Sequence, residues 1–289
     1  MALVLATFNV LDLFDAADSA RIEGVAAVLR PHAPDVIALQ EVGSEGVVRA
    51  LVAAVGGGYE TVVADADERG IRCALASRLR ILERAVLRAA HLPFPRFRPE
   101  DPEPFDERIP LRRAVPDVLV DAGALGRLRV LVVHFKSRRG TPMREASGAI
   151  IPPQSTADLA AAEARAVAWR SAEALFVRRA VDERRARSPS EHLVVCGDFN
   201  DVPGSLPLRI VEGVAGVAAG EPARADALVS ACDRIPVGDR ISVDHDGETA
   251  AIDHMLLTPA LAARLDRCFY DRSSLGVASD HAPLVARFA

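Results

Sequence analysis

The segment Val194–Val202, VVCGDFNDV, places a carboxylate, Asp198, and an amide, Asn200, two residues apart just past an apolar run. Val194–Gly197 reads as a buried strand, and Pro203 with Gly204 closes the turn that follows. Side chains two apart share one face of extended chain, so both can enter one cleft at the edge of a sheet. Packing a hydrophobic strand requires no such pair, which suggests that the pair does chemistry.

The same arrangement recurs along the chain. Asn9 follows LVLATF, Gln40-Glu41 follow DVIAL, His134 follows RVLVV, and Asp280-His281 precede APLVARF. Asp253 lies inside AAIDHMLL, where an ionised carboxylate is costly unless paired. Each has an ordinary reading when taken alone. Asn9 suits a turn, Glu41 a salt bridge, His134 a satisfied core position, Asp253 a backbone hydrogen bond and Asp280 a helix cap. Together they form an oxygen-rich set that suits a hard cation, Mg²⁺ or Mn²⁺, better than zinc. The two histidines and the remaining aspartates suit proton transfer and charge stabilisation at phosphorus.

These residues must be positioned by strands and helices that the hydrophobic pattern delimits. Ala2–Phe8, Asp35–Leu39, Tyr59–Ala64, Ile71–Ser77, Ala114–Val120, Leu128–His134, His192–Gly197, Ala251–Leu257 and Leu284–Phe288 read as strands. Leu79–Ala89 reads as a strand with loose alternation, or as a helix. Helices are expected at Ser19–Leu29, Glu45–Val55, Ser155–Arg185 and Pro259–Leu265, the longest opened by a capping-box pattern at Ser155 and Asp158. His91–Pro110 holds six prolines and reads as a long surface loop, as does Ser137–Pro153. A Gly/Ala-rich stretch runs to Gly220. Alternating elements early and hairpins in the middle point to an α/β sandwich of two sheets flanked by helices.

The chain has 289 residues, half of them hydrophobic, with no long Gly-, Ser- or Pro-rich linker, so one domain spanning 1–289 is expected. A net charge of −5 argues against a protein that simply coats nucleic acid. The charge is uneven, however: Arg78–Arg144 carries 15 basic against 8 acidic residues. A basic middle beside acidic clusters fits an anionic substrate brought to a cation site, or else ordinary solvated faces. Lys136, in HFKS, is the one lysine among 35 basic residues. Cys73, Cys196, Cys232 and Cys268 are widely spaced and read as free thiols in a reducing compartment. No apolar run approaches a membrane span. Leu3–Phe8 reads as a core strand with no basic segment before it, so a cytoplasmic location is expected, although a leader already removed would leave the same start. No obligate protein partner is evident.

TFNV, LQEV, VVHFKS, GDFND, AIDHMLL and SDHAPLVARF resemble, in order, the motifs of the endonuclease/exonuclease/phosphatase superfamily, and they span residues 7–288. DNase I, exonuclease III-type AP endonucleases, neutral sphingomyelinases and inositol polyphosphate 5-phosphatases share that fold. The resemblance implies a DNase I-like four-layer α/β sandwich with the site at the strand ends between the sheets. It implies Glu41 as the main Mg²⁺ ligand, with Asn9 and Asp280 completing or supporting the site. Asp198 would orient or deprotonate the attacking water, and Asn200 would hold that water or a phosphate oxygen. His281 would act at the phosphate as general base or transition-state stabiliser, with Asp253 fixing its tautomer. His134 would contact a non-bridging oxygen. Lys136, Arg138 and Arg139 would grip backbone phosphates; Arg113 or Arg112 matches a family arginine, and Arg170 is a weaker candidate.

Subfamily features narrow the expectation. VVHFKS stands where AP endonucleases carry an Asn-x-Tyr-x-Pro segment, and the longer Asn/Asp-containing stretch of 5-phosphatases is missing. HFKSRRG is similar to bacterial nuclease-like members. The activity expected is Mg²⁺-dependent hydrolysis of a nucleic-acid backbone. A phosphomonoesterase, or a phosphodiesterase acting on lipids or small molecules, is the alternative, and a catalytically silent binding protein is a remote one. His254 replaces an aromatic found in many members, and a 4% aromatic content leaves few platforms for stacking bases.

Overall fold

Two pairs of parallel strands organise the molecule, and the elements around them are as follows. The strands are β1 (Leu3–Leu13), β2 (Val36–Val42), β3 (Glu60–Val63), β4 (Arg72–Ser77), β5 (Ile81–Leu87), β6 (Val115–Asp121), β7 (Arg127–His134), β8 (Met143–Arg144), β9 (Ile150–Ile151), β10 (His192–Asp198), β11 (Val229–Ser230), β12 (Val243–His245), β13 (Glu248–Ala250), β14 (Asp253–Leu257), β15 (Leu265–Tyr270) and β16 (Leu284–Phe288). The helices are α1 (Ser19–Leu29), α2 (Glu45–Val55), α3 (Thr156–Arg187), α4 (Leu206–Glu212) and α5 (Pro259–Ala262). This computed structural model describes residues 2–289 except 16, 18, 99, 103–104, 106–107, 214–225 and 246.

One six-stranded sheet has the order β15-β16-β1-β2-β4-β3 and the other β11-β14-β10-β7-β6-β5. Read across, the two sheets follow one pattern. In each, a single parallel pair, β1 with β2 or β10 with β7, is flanked on both sides by antiparallel neighbours.

The sheets face each other across a core of Leu5, Val36, Ala38 and Leu75 against Val130, Val132, Val194, Cys196 and Met255. Alternate residues of the same strands, Phe8, Ile37 and Leu39, pack outward on Val25 and Leu29 of α1 and on Val48 and Leu51 of α2. Leu131, Val133 and Val195 likewise pack outward on Ala174, Val177 and Val181 of α3 and on Leu208 and Val211 of α4. The result is the expected four-layer α/β sandwich. Burial on both faces explains why the central strands are continuous apolar runs, each fully buried Val or Leu contributing roughly 1.5–3 kcal/mol.

Polar contacts fix α3 along the second sheet. Arg184 Nε and Arg129 Nη1 hold the two oxygens of the buried Asp117, at 2.8 and 2.9 Å. The N-terminus of α3 is capped as expected, Asp158 N donating to Ser155 Oγ at 3.1 Å.

Several expectations are corrected. Leu265–Tyr270 is a strand, β15, and the helix before it stops at Ala262. Exposed Asp266 and Arg267 mask the strand pattern there, because β15 is a sheet edge. Leu79–Ala89 resolves as β5, also an edge, which accounts for its loose alternation. The Ser137–Pro153 loop carries the small β8–β9 hairpin. The Gly/Ala-rich stretch begins with α4, and its part from 214 onward lies outside the described residues. No helix among the described residues is long and apolar enough to cross a membrane.

Candidate active site

Each parallel strand carries one of the residues singled out above. Asn9 lies inside β1, which runs on to Leu13 instead of stopping at Phe8 as expected, with a register shift against β2 just past Asn9. Glu41 lies near the end of β2, His134 ends β7 and Asp198 ends β10. The flanking antiparallel strands add Asp253, the first residue of β14, and Asp280-His281, just before β16. The paired topology therefore brings six segments to one end of the sandwich, the carboxyl end of both parallel pairs.

Backbone strain aims several of these side chains. Glu41 has φ +62° and Asn200 φ +52°, a conformation costly for residues with a Cβ and common at functional sites. Gly197, with φ +140°, precedes Asp198, and a Cβ on it would lie 1.9 Å from Val133 O. Only glycine lets β10 lie this close to β7 and still turn its next carboxylate into the cleft.

Asn9 Nδ2 donates to Glu41 Oε1 at 3.2 Å and to Asp198 Oδ2 at 3.0 Å, tying the two sheets together. Asp12 N donates to the other oxygen of Glu41 at 3.1 Å. His134 Nε2 lies 3.4 Å from Asp198 Oδ2 and 3.7 Å from Glu41 Oε1. Asn200 donates to Asp198 twice, from its backbone N at 2.8 Å and from Nδ2 at 3.1 Å.

Across β14, Asp253 is the register partner of Asp198, and its Oδ2 lies 2.7 Å from His281 Nδ1. Asp280 Oδ1 stands 4.0 Å from His281 Nε2.

The electrostatics separate these groups. Burial, with Asp253 beside it, pushes the Asp198 carboxyl up to about 7. Burial alone would lower His281, but the adjoining Asp253 charge dominates and holds the imidazole up to about 10. His134 is driven well below its ordinary value by burial and then by the nearby Arg113 charge, so it is neutral. Burial also raises Glu41.

The donor set fits a hard divalent cation. Glu41 and Asp198 lie against neutral His134 and share the Asn9 amide, Asp253 and Asp280 lie against charged His281, and every donor apart from the imidazoles is oxygen. Among the described residues, no three His, Cys, Asp or Glu side chains form a cluster ready to hold a metal ion. Water and substrate oxygens would have to complete the coordination shell, as is usual for Mg²⁺.

The expected substrate-gripping residues divide. Arg138 is exposed on the loop after β7. Arg113 is buried instead, its Nη1 donating to Phe135 O at 3.0 Å and its Nε 3.5 Å from Asp67. Lys136 is buried as well and donates to Ser137 O at 2.9 Å and Arg139 O at 2.8 Å. Both cations brace the backbone beneath the site. Arg139 is exposed, Arg112 lies 3.9 Å from Asp67, and Arg170 is buried in an ion pair with Asp201 at 3.0 Å. His254 is packed against Phe199 and bonded to Asp201 O at 2.9 Å, a core role.

Sequence reasoning missed the groups that hold these residues. Ser279 Oγ donates to Asn9 O at 2.8 Å and accepts from His281 N at 3.0 Å. Ser242 Oγ accepts from Asp253 N at 3.2 Å, and Tyr270 OH donates to Asp253 O at 2.7 Å. Of these only Ser279 had a signal, since it opens SDHAP.

Residues 6–281 match the model of the Endonuclease/Exonuclease/phosphatase family. The chain belongs to that family. It is accordingly a phosphoester-hydrolysing enzyme with the DNase I-like fold. Solved structures repeat the family fold at low identity. Truncated TDP2 from Caenorhabditis elegans is 17% identical, with 99% of this chain and 97% of that one covered and a TM-score of 0.63. An AP endonuclease from Archaeoglobus fulgidus is 21% identical, with 99% of each chain covered and a TM-score of 0.61. The human Nocturnin catalytic domain with bound sulfate is 16% identical, with 100% and 94% covered and a TM-score of 0.64. No curated protein sequence matches the chain.

Proposed function

We propose that this family member is a divalent-cation-dependent phosphodiesterase that cuts a nucleic-acid backbone, working as one domain over residues 1–289. The observation that carries the reading is the contrast between Asp198 and His281. Asp253 stands opposite Asp198 in the β10–β14 register and lies 2.7 Å from His281, so with burial it raises the Asp198 carboxyl while it keeps the His281 imidazole charged. Neighbouring groups whose proton affinities are driven apart are suited to acid and base roles.

In this reading Asp198 orients the attacking water and accepts its proton, while Asn200 fixes the carboxylate through two hydrogen bonds. His281, kept charged and oriented by its Nδ1 contact with Asp253, stabilises the charge developing on the phosphoryl oxygens. Neutral His134 presents Nε2 toward the same cleft and hydrogen-bonds a non-bridging oxygen. Glu41, with Asn9 and Asp280 in support, would hold Mg²⁺ or Mn²⁺, which supplies Lewis-acid neutralisation of phosphate charge.

The rim supports a polymeric substrate. The β5–β6 and β7–β8 connections leave from the end of the second sheet where Asp198 lies. The first presents Phe97, fully exposed between Arg96 and Arg98, and the second presents Arg138 and Arg139. Exposed aromatics among arginines are what stacking on unpaired bases and holding backbone phosphates require.

Incubation with plasmid DNA, RNA and a chromogenic phosphodiester, each with Mg²⁺, Mn²⁺ or EDTA, tests the proposal. Cation-dependent cleavage of a nucleic acid is expected. Turnover of small esters alone would refute the nucleic-acid assignment, and full activity in EDTA would refute the cation requirement.

A further inference from the structure

Glu173 sits at mid-length in α3, fully buried, and the roles proposed above make no use of it. Its two oxygens take two backbone N–H groups from different site-end loops. Oε2 accepts from Lys136 N at 2.7 Å and Oε1 from Arg112 N at 3.3 Å. Burial raises its proton affinity while these N–H groups and Arg113 pull it down. A buried carboxylate is expensive, and two backbone donors are the kind of partner that makes it tolerable.

The Lys136 N–H belongs to the same peptide plane as the Phe135 carbonyl. That carbonyl accepts from Asn200 Nδ2 at 3.0 Å and from Arg113 Nη1 at 3.0 Å. Asn200 Nδ2 in turn reaches Asp198 Oδ2 at 3.1 Å. One rigid peptide therefore has a carboxylate on its N–H side and the Asn200 amide on its C=O side. Turning the plane would move the acceptor away from Asn200. The negative charge on the N–H side also polarises the amide and strengthens its carbonyl as an acceptor. One turn earlier on α3, Arg170 bonds to Asp201 Oδ2 at 3.0 Å and Ser137 O at 3.1 Å, so the same helix also holds the chain beyond Asn200.

We propose that Glu173 is a positioning residue for hydrolysis: through the Phe135–Lys136 peptide it fixes the Asn200 amide, and with it the Asp198 carboxylate. The proposal rests on the place given to Asn200 and Asp198 in the reading above.

The variant that tests it is Glu173→Gln, which keeps the shape but loses the charge and one acceptor. Turnover should fall about 10- to 100-fold in kcat with KM within about threefold, because orientation and not binding is disturbed. The deciding measurement is a double-mutant cycle with Asn200→Ala. If Glu173 acts through Asn200, the loss from Glu173→Gln should largely disappear in the Asn200→Ala background. Additive losses would overturn the proposal, as would a lowered melting temperature with kcat unchanged. Should Glu173→Gln fail to fold, Glu173→Asp, shorter by one methylene and still charged, carries the same cycle. Full activity of Asn200→Ala alone would instead refute the reading of the site, so the two failures are distinguishable.

Discussion

His281 Nδ1 lies 2.7 Å from Asp253 Oδ2, and both residues are almost fully buried. The pair joins the start of β14 to the segment before β16, the antiparallel neighbours of β10 and β1 in the two sheets. The contact fixes Nδ1 and leaves Nε2 to face the site, where Asp280 Oδ1 stands 4.0 Å away.

Replacing Asp253 with Asn should leave the pair hydrogen-bonded and remove its charge. The His281 imidazole of the cation-free protein, held charged up to about 10, should then lose its proton at markedly lower pH, because the raising influence is the Asp253 carboxylate. NMR titration of the ring protons checks this, and an unchanged titration would contradict the assignment. Turnover should fall about 100-fold or more, as when the orientation of a proton-transfer group is lost.

Asp198→Asn and His281→Ala should each remove at least roughly 10²-fold of kcat, with far-UV circular dichroism unchanged. Near wild-type turnover in both would refute the roles given to them.

Glu41→Gln should raise the Mg²⁺ concentration needed for half-maximal activity and weaken Mg²⁺ binding measured by calorimetry. The carboxylate is held by two neutral donors, the Asn9 amide and the Asp12 N–H, which leave its charge for a cation. An unchanged Mg²⁺ titration would make Glu41 a structural residue.

Gly197→Ala should destabilise the protein by about 3 kcal/mol or more, because the new Cβ meets the Val133 carbonyl and the backbone sits at φ +140°. Urea unfolding at fixed cation concentration measures it.

Phe97→Ala combined with Arg138→Ala should raise KM for a nucleic acid about tenfold, the order expected from one stacked base. The KM of a small chromogenic diester should not move. An equal effect on both substrates would mean that the two residues do not contact a polymer.

The residue types and their order were sufficient to read the family and the two-sheet architecture, and to single out as candidates Asn9, Glu41, His134, Asp198, Asn200, Asp253, Asp280 and His281, which the fold brings to one end of the sandwich. Central strands buried on both faces are continuous apolar runs, so a polar residue at their ends stands out in the sequence. Edge strands carry no such contrast. β15, with Asp266 and Arg267 exposed, was therefore not legible.

What the tertiary structure alone decided is which charged side chain faces the cleft and which lies under it. Lys136 and Arg113 read as phosphate grips in the sequence, yet both donate to backbone carbonyls, because burial demands a partner for every cation. The register also determined that Asp253 lies beside Asp198, a relationship between strands 55 residues apart that no local pattern encodes. Glu173 was invisible in an Ala-, Arg- and Glu-rich helix, where glutamate is ordinary. Its part emerged only when the fold set its two oxygens against the peptides of two loops.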